Sequence, residues 1–295
     1  MPELPEVEHL RRTLVPHLVG RSVVRATLHR RDIAVGPGDP PGGFARQRSR
    51  VRPRRLTKAQ MLQGAVIDRI DRRGKLMAII GDDGRAIGVH LGMSGQVLWA
   101  AAGGRLSTDH VHATWRLDDG SRFVFRDPRR FGGVWMFASR DELPPWQSLG
   151  PDALAITPNE FAARLHGAKR PIKAALLDQG LVAGIGNIYA DEALHRAGIH
   201  PLTQASSLLP DRLERLGAAV VELLQDAVAV GGSTLRDYRA ADGEPGGYQH
   251  AHRVYGRSDL ECLTCGRGLS TARIAQRTTV WCPGCQEWDQ PAPDE

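Results

Sequence analysis

Apolar residues near the start of the chain recur at helical spacing. Val7, Leu10, Leu14 and Leu18 form one stripe with Arg11 and Arg12 beside it, which predicts an amphipathic helix over residues 4–18. The period then shortens to two. Runs near 22–29, 64–71, 75–80, 85–91, 96–99, 111–117, 121–126 and 133–137 predict strands. Asp82-Asp83-Gly84 and Asp118-Asp119-Gly120 each separate two such runs and carry hairpin-turn chemistry. Residues 36–55 interrupt the pattern with glycine, proline and six arginines, including Arg52, Arg54 and Arg55, and predict a flexible basic loop.

After Pro144-Pro145 the helical period returns. Helices are predicted near 158–166, 171–179, 188–197 and 207–230, with breaks at Asp178-Gln179-Gly180 and Gly184-Ile185-Gly186-Asn187. Residues 236–256 read as a long loop. A small cysteine-bearing module follows from about 257, and the polar, acidic stretch from Trp288 to Glu295 reads as a frayed tail. A strand-rich half followed by a helical half, without internal repeats, indicates a two-domain α+β chain.

The chain has 295 residues, 41% of them hydrophobic, enough to bury two ordinary cores. Its net charge of +6 and its pI near 9.5 point to an anionic partner, with nucleic acid the first candidate. Nearly all the positive charge is arginine. Lys58, Lys75, Lys169 and Lys173 are the only lysines, so lysine chemistry has few candidates. Early charges at Glu3, Glu6, Glu8, Arg11 and Arg12 exclude a signal peptide, and no segment approaches the ~20 apolar residues of a membrane span. A cytoplasmic protein is expected.

Pro2 adds a candidate nucleophile. Removal of Met1, expected before a small residue, leaves a secondary amine whose pKa of about 7.7–8.0 keeps part of it neutral and nucleophilic. Attack on a sugar carbon with loss of a base gives an iminium ion that cannot shed its charge by losing an N–H proton, so it remains an electron sink. Glu3 and Glu6 lie close enough in sequence to manage protons. The same six residues also read as an ordinary helix start, with Pro5 in the first turn beside glutamates.

All four cysteines lie near the C-terminus. Cys262-x2-Cys265, sixteen residues, then Cys282-x2-Cys285 has the spacing of a closed structural zinc site in a reducing compartment, with two disulfides or an iron–sulfur cluster as alternatives. Between the two knuckles, residues 272–281 alternate like a hairpin with Gln276 and Arg277 near its tip.

Pro2-Glu3-Leu4-Pro5-Glu6-Val7 and this module resemble the formamidopyrimidine-DNA glycosylase family of base-excision repair. So do Arg73-Gly74-Lys75, His90-Leu91-Gly92-Met93-Ser94-Gly95, Asp127-Pro128-Arg129-Arg130-Phe131-Gly132 and the run from Gly184 to Glu192, in family order along almost the whole chain. The resemblance implies an N-terminal helix with a two-layer β-sandwich over 1–143. A helix–two-turn–helix domain with a lesion-capping loop follows over 144–256, then a zinc-finger hairpin over 257–288 and a tail over 289–295.

It further implies a monomer acting on damaged double-stranded DNA, with one structural Zn²⁺ and no organic cofactor. Pro2 is then the nucleophile at C1′, Glu3 the proton-transfer partner and Glu6 the support of the N-terminal geometry. Lys75 is a phosphate ligand and also the runner-up nucleophile. Met93, Arg129 and Phe131 match the wedge that fills the stack after base extrusion. Arg130, Asn187 and Arg277 are candidate phosphate contacts, and His110, Lys169 and Tyr189 further DNA-facing residues. Leu4 and the long 236–256 segment favour 8-oxoguanine and formamidopyrimidines over the pyrimidine lesions of the endonuclease VIII type. A DNA-binding protein without catalysis is the alternative from another class. Two departures from the family pattern are His9 and the 36–55 segment.

Overall fold

The computed structural model describes residues 2–35, 59–142, 144–234, 238–286 and 288. The basic 36–55 segment and the 289–295 tail lie outside the described residues. The chain divides into two compact bodies, residues 1–148 with 228–247, and residues 149–227 with 248–295.

In the first body, helix α1 (Leu4–Leu18) has the predicted bounds and buries Val7, Leu10, Leu14 and Leu18. Strands β1 (Val23–Leu28), β2 (Ala34–Val35), β3 (Ile67–Arg73), β4 (Leu76–Gly81), β5 (Ala86–His90), β6 (Gln96–Ala100), β7 (Val111–Leu117), β8 (Arg122–Arg126) and β9 (Gly133–Phe137) follow. They form a five-stranded sheet in the order β2-β9-β5-β4-β3 and a four-stranded sheet in the order β1-β7-β8-β6. Only β2 was not foreseen; at two residues it is too short to show a period, and it pairs parallel to β9.

The two sheets share one core. Ile70, Met77, Ile79, Ile87, Val89 and Val134 come from the first sheet, and Ala26, Val97, Trp115 and Phe125 from the second, with the stripe of α1 in the same cluster. Trp115 stacks on Phe123 at 4.7 Å and its indole N–H donates to the Met61 carbonyl at 3.0 Å, so this large buried ring leaves no unpaired donor. Both Asp-Asp-Gly turns form as expected, with Gly84 and Gly120 at φ of 84° and 80°.

After α2 (Pro144–Ser148), the second body carries α3 (Pro158–His166), α4 (Ile172–Leu176), α5 (Asn187–Arg196) and most of α6 (Pro210–Ala229), then the hairpin β10 (Ser270–Ile274) and β11 (Arg277–Trp281). Thr157 caps α3 by accepting the Glu160 N–H at 3.2 Å. Helix α4 is shorter than the predicted 171–179, because Asp178 already turns the chain by accepting the Gly180 N–H at 2.8 Å.

Two buried acids hold this body together. Lys173 and Asp191, both 0% exposed at the side chain, form an ion pair between α4 and α5. The Lys173 ammonium also donates to the Asn187 carbonyl at 3.1 Å, and Asp191 accepts the Val280 N–H of β11 at 3.3 Å. Burial raises the Asp191 carboxyl to about 6 despite that lysine. Glu192 accepts the backbone N–H groups of Arg253, Val254 and Tyr255 at 2.8, 2.9 and 2.8 Å, which fixes the end of the long loop against α5. The β10–β11 turn is Ala275-Gln276, both at positive φ (47° and 59°). Gln276 thus lies in the tip, as expected, and Arg277 opens β11 directly beside it, opposite Ile274.

Candidate active site

The first turn of α1 is also where the candidate chemistry gathers. Glu3 is the N-cap and Glu6 the third helical residue, joined as a capping box. One Glu6 oxygen accepts the Glu3 N–H at 2.6 Å, and the other accepts the Ser233 N–H at 2.6 Å. The Tyr238 hydroxyl donates to the Glu6 carbonyl at 3.0 Å. Burial, with the Glu6 and Asp242 charges, pushes that hydroxyl above its ordinary range, so it stays a donor. A side chain at Gly232 would place its Cβ 2.5 Å from Glu6 Oε1, at a φ of +75°. Only glycine lets this backbone reach the carboxylate. Pro2, Glu3 and Glu6 are all buried.

Lys75 stands in the β3–β4 turn directly after Gly74, whose φ is 56°. Arg72 sets the position of that turn. Its guanidinium donates to Glu8 of α1 at 2.9 Å and to the Gly74 carbonyl at 3.0 Å, linking the helix to the turn. Arg11 and Arg12 also bind Glu8, each at 2.8 Å. Burial alone would raise the Glu8 carboxyl, but these three arginines hold it down at about 2. His9, the departure from the family pattern, packs beside Gly231, and burial lowers its imidazole below the ordinary value.

The loops carrying Met93 and the Arg129–Phe131 run meet at Asp127, which is fully buried. One Asp127 oxygen accepts the Ser94 hydroxyl at 2.6 Å and the other the Gly132 N–H at 2.7 Å. Ser94 in turn accepts the Arg129 N–H at 3.2 Å. The Asp127 backbone N–H donates to the His110 carbonyl at 3.0 Å, so a third candidate segment joins the same residue. The loops touch backbone to backbone: a Cβ on Gly92 would lie 2.3 Å from the Phe131 carbonyl carbon. Met93 is 37% exposed, which excludes the core role open to it in the sequence. The Arg129 guanidinium lies 4.6 Å over the Phe131 ring. Arg130, at a φ of 56°, pairs with Asp32 at 2.9 Å.

In the second body, Asn187 opens α5 and its side-chain amide donates to the Thr278 carbonyl at 2.8 Å. This ties the Gly184–Asn187 turn to the strand that begins at Arg277. Arg277 and Lys169 are exposed, whereas Tyr189 is 1% exposed and its ring packs near Tyr248. Among the candidate DNA contacts, Tyr189 is the one whose side chain is buried.

The four cysteine sulfurs lie within 4.8 Å of one another, an arrangement that can hold a metal ion. Cys265 and Cys282 are 3.4 Å apart and Cys262 and Cys285 3.8 Å, far beyond the ~2.05 Å of a disulfide. A tetrahedron of thiolates at about 2.3 Å from a zinc ion has edges of about 3.8 Å, so the donors fit. His195 Nε2 lies 3.6 Å from the Cys262 sulfur.

Glu8, Arg72, Ser94, Asp127, Gly232 and Ser233 belong to the site although the sequence alone does not indicate them. Ser94 and Asp127 lay inside the recognised motifs, but their bond spans thirty-three positions. For Gly232 and Ser233 no local signal exists.

Residues 1–134 match the model of the formamidopyrimidine-DNA glycosylase N-terminal domain, and residues 149–239 that of the formamidopyrimidine-DNA glycosylase H2TH domain. The formamidopyrimidine-DNA glycosylase of Stenotrophomonas maltophilia (strain R551-3) is 42% identical over 97% of this chain and 100% of its own. The MutM (Fpg) crystal structure from Thermus thermophilus is 38% identical and superposes with a TM-score of 0.82 over 98% of this chain and 100% of that one. The Lactococcus lactis Fpg in complex with abasic-site DNA is 32% identical with a TM-score of 0.80, covering 97% and 100%. With both domain models matched and full-length relatives above 40% identity, the chain belongs to the formamidopyrimidine-DNA glycosylase family.

Proposed function

We propose that this chain is a bifunctional DNA glycosylase and abasic-site lyase that removes oxidised purines, 8-oxoguanine and formamidopyrimidines, from double-stranded DNA. The observation that carries the reading is the buried start of α1, where Pro2 directly precedes Glu3 and the Glu6 carboxylate is held by the N–H groups of Glu3 and Ser233. Freed by removal of Met1, the Pro2 nitrogen attacks C1′ of the damaged nucleoside. The glycosidic bond breaks and the base departs with a proton, for which Glu3 is the nearest donor in sequence. The attacking nitrogen loses its N–H proton, the sugar ring opens at the C1′–O4′ bond with O4′ taking up a proton, and the resulting iminium acidifies the C2′–H. Loss of that proton expels the 3′ phosphate, and a second elimination expels the 5′ phosphate. Glu6 takes no part in bond changes and fixes the amine.

Lys75, His110, Arg130, Lys169, Asn187 and Arg277 supply contacts to DNA phosphates, Tyr189 through its backbone. Met93, Arg129 and Phe131 fill the vacated stack, with Arg129 free to hydrogen-bond the orphaned base. Residues 1–143 carry the chemistry, 144–256 grip DNA and cap the lesion, and 257–288 form the finger. The cysteine cluster holds one Zn²⁺; four thiolates leave it no open position, so its part is structural. Repair of a bacterial chromosome sets the protein to work in the cytoplasm, as a monomer. Among the described residues no helix is long and apolar enough to cross a membrane.

Borohydride trapping on a duplex containing 8-oxoguanine tests the assignment. Processed protein should give a covalent adduct, while Pro2→Gly and protein retaining Met1 should give none. An adduct that survives Pro2→Gly would transfer the nucleophile to a lysine, Lys75 first. Faster excision of thymine glycol than of 8-oxoguanine would move the substrate class to oxidised pyrimidines.

A further inference from the structure

The outer face of the four-stranded sheet carries a feature outside this machinery. Antiparallel pairing sets Arg25 of β1 opposite Arg116 of β7, and Arg116 opposite Arg122 of β8. Three guanidinium side chains therefore stand in one row across three adjacent strands. Like charges placed directly opposite destabilise a sheet. No carboxylate offsets them: among the described residues none of the three forms an ion pair, and Arg122 donates only to the Gly104 carbonyl at 3.0 Å. The nearby Asp119 is engaged by Arg21 at 3.3 Å and Asp32 by Arg30 at 2.9 Å.

The row lines one side of an open cavity of about 600 Å³. The next row of the face is Thr27 and Thr114, with Val124 as an apolar floor, and Ser107 and Thr108 form the rim. His29 reaches in from the end of β1, its Nε2 2.9 Å from the Thr114 hydroxyl. Cations with hydroxyl donors around them suit phosphate oxygens. Strands lie about 4.8 Å apart, so the row spans about 10 Å, several phosphates along a backbone and too long for one. The apolar floor offers nothing to read a base edge.

We propose that this face binds the phosphodiester backbone of undamaged DNA, as a second, sequence-independent contact outside the lesion site. The choice of DNA as the polyanion rests on the function proposed above. A duplex held here keeps the enzyme on DNA while the active site is empty or occupied.

The test uses the full-length protein saturated with a short duplex carrying a stable abasic-site analogue. Binding of a second, labelled, undamaged duplex is then followed by fluorescence anisotropy across a salt series. The wild type should bind it with a steep salt dependence. In the R25Q/R116Q/R122Q variant the log–log salt slope should fall by about 2–3, since each lost phosphate contact is worth about 0.9. Its excision rate on a short lesion duplex should be unchanged, and its melting temperature equal or higher because the like-charge row is gone. The proposal is overturned if the saturated wild type binds no second duplex, if the variant binds it equally, or if the variant melts earlier, which would make the arginines structural. Absence of excision in both proteins, with the salt-slope difference intact, would instead sink the repair assignment and leave this surface standing.

Discussion

Arg72 and Glu8 form an ion pair at 2.9 Å with side chains only 8% and 7% exposed, joining helix α1 to the turn that carries Lys75. The pair places the candidate phosphate ligand relative to the helix that Pro2 directly precedes. Removing one member leaves a buried guanidinium without its counter-charge, so Glu8→Gln should cost about 3 kcal/mol in urea unfolding at neutral pH. The folded carboxyl sits at about 2 against an ordinary 4.5. Its contribution is complete above the unfolded value and fades as the pH falls through about 4.5 toward 2. Wild type and variant should therefore differ most at pH 7 and converge in acid. A constant gap down to pH 2 would contradict the ion-pair account.

Gly232 is the next test. A methyl group there meets Glu6 Oε1 at 2.5 Å, so Gly232→Ala must displace the carboxylate or the backbone that binds it. Single-turnover excision should fall at least about tenfold, equivalent to about 1.4 kcal/mol of barrier. Binding of an undamaged duplex should change little. Weakened binding with a normal single-turnover rate would argue that the segment serves DNA contact alone.

Asp127 organises the loops of the proposed wedge without reaching DNA itself. Asp127→Asn keeps the volume, but with its amide oxygen on the Gly132 N–H its N–H₂ faces Ser94, whose hydroxyl must turn from donor to acceptor and lose its own acceptor, costing about 1–3 kcal/mol locally. Excision of 8-oxoguanine from duplex DNA should slow, while cleavage of a preformed abasic site, where no base needs extrusion, should slow less. Equal losses on both substrates would show a general folding defect.

Loss of the metal should be local. Elemental analysis should find one zinc per chain, and Cys282→Ser or a strong chelator should release it. The β10–β11 hairpin should then loosen and DNA binding weaken, while the melting transition of the 1–148 sandwich persists. Retention of full DNA affinity after zinc release would remove the finger from the interface.

Much of this architecture could be read before the structure. The stripe from Val7 to Leu18 gave α1 its bounds, because one helix face meets one core. The Asp-Asp-Gly turns marked their hairpins through the φ that glycine alone takes easily. The start of α6 and the end of α4 were within a few residues, as local turn chemistry at Pro210 and Asp178 overrides periodicity. Motif residues Met93, Arg129 and Phe131 fall on two loops in one network. What could not be read was long-range. Ser94–Asp127, Arg72–Glu8 and Gly232–Glu6 each depend on a tertiary approach with no trace in local pattern. Charge alone did not show the arginine row either, because its meaning lies in strand register.

The capping box of α1 also constrains how this protein can change. At most helix starts, replacing an N-cap glutamate by serine or aspartate is a routine stabilising substitution. Here Glu3 and Glu6 close the helix and, on the proposed mechanism, also serve the reaction. A population selected for heat resistance should therefore leave these two positions alone and find its improvements elsewhere, in the sheets and the second body.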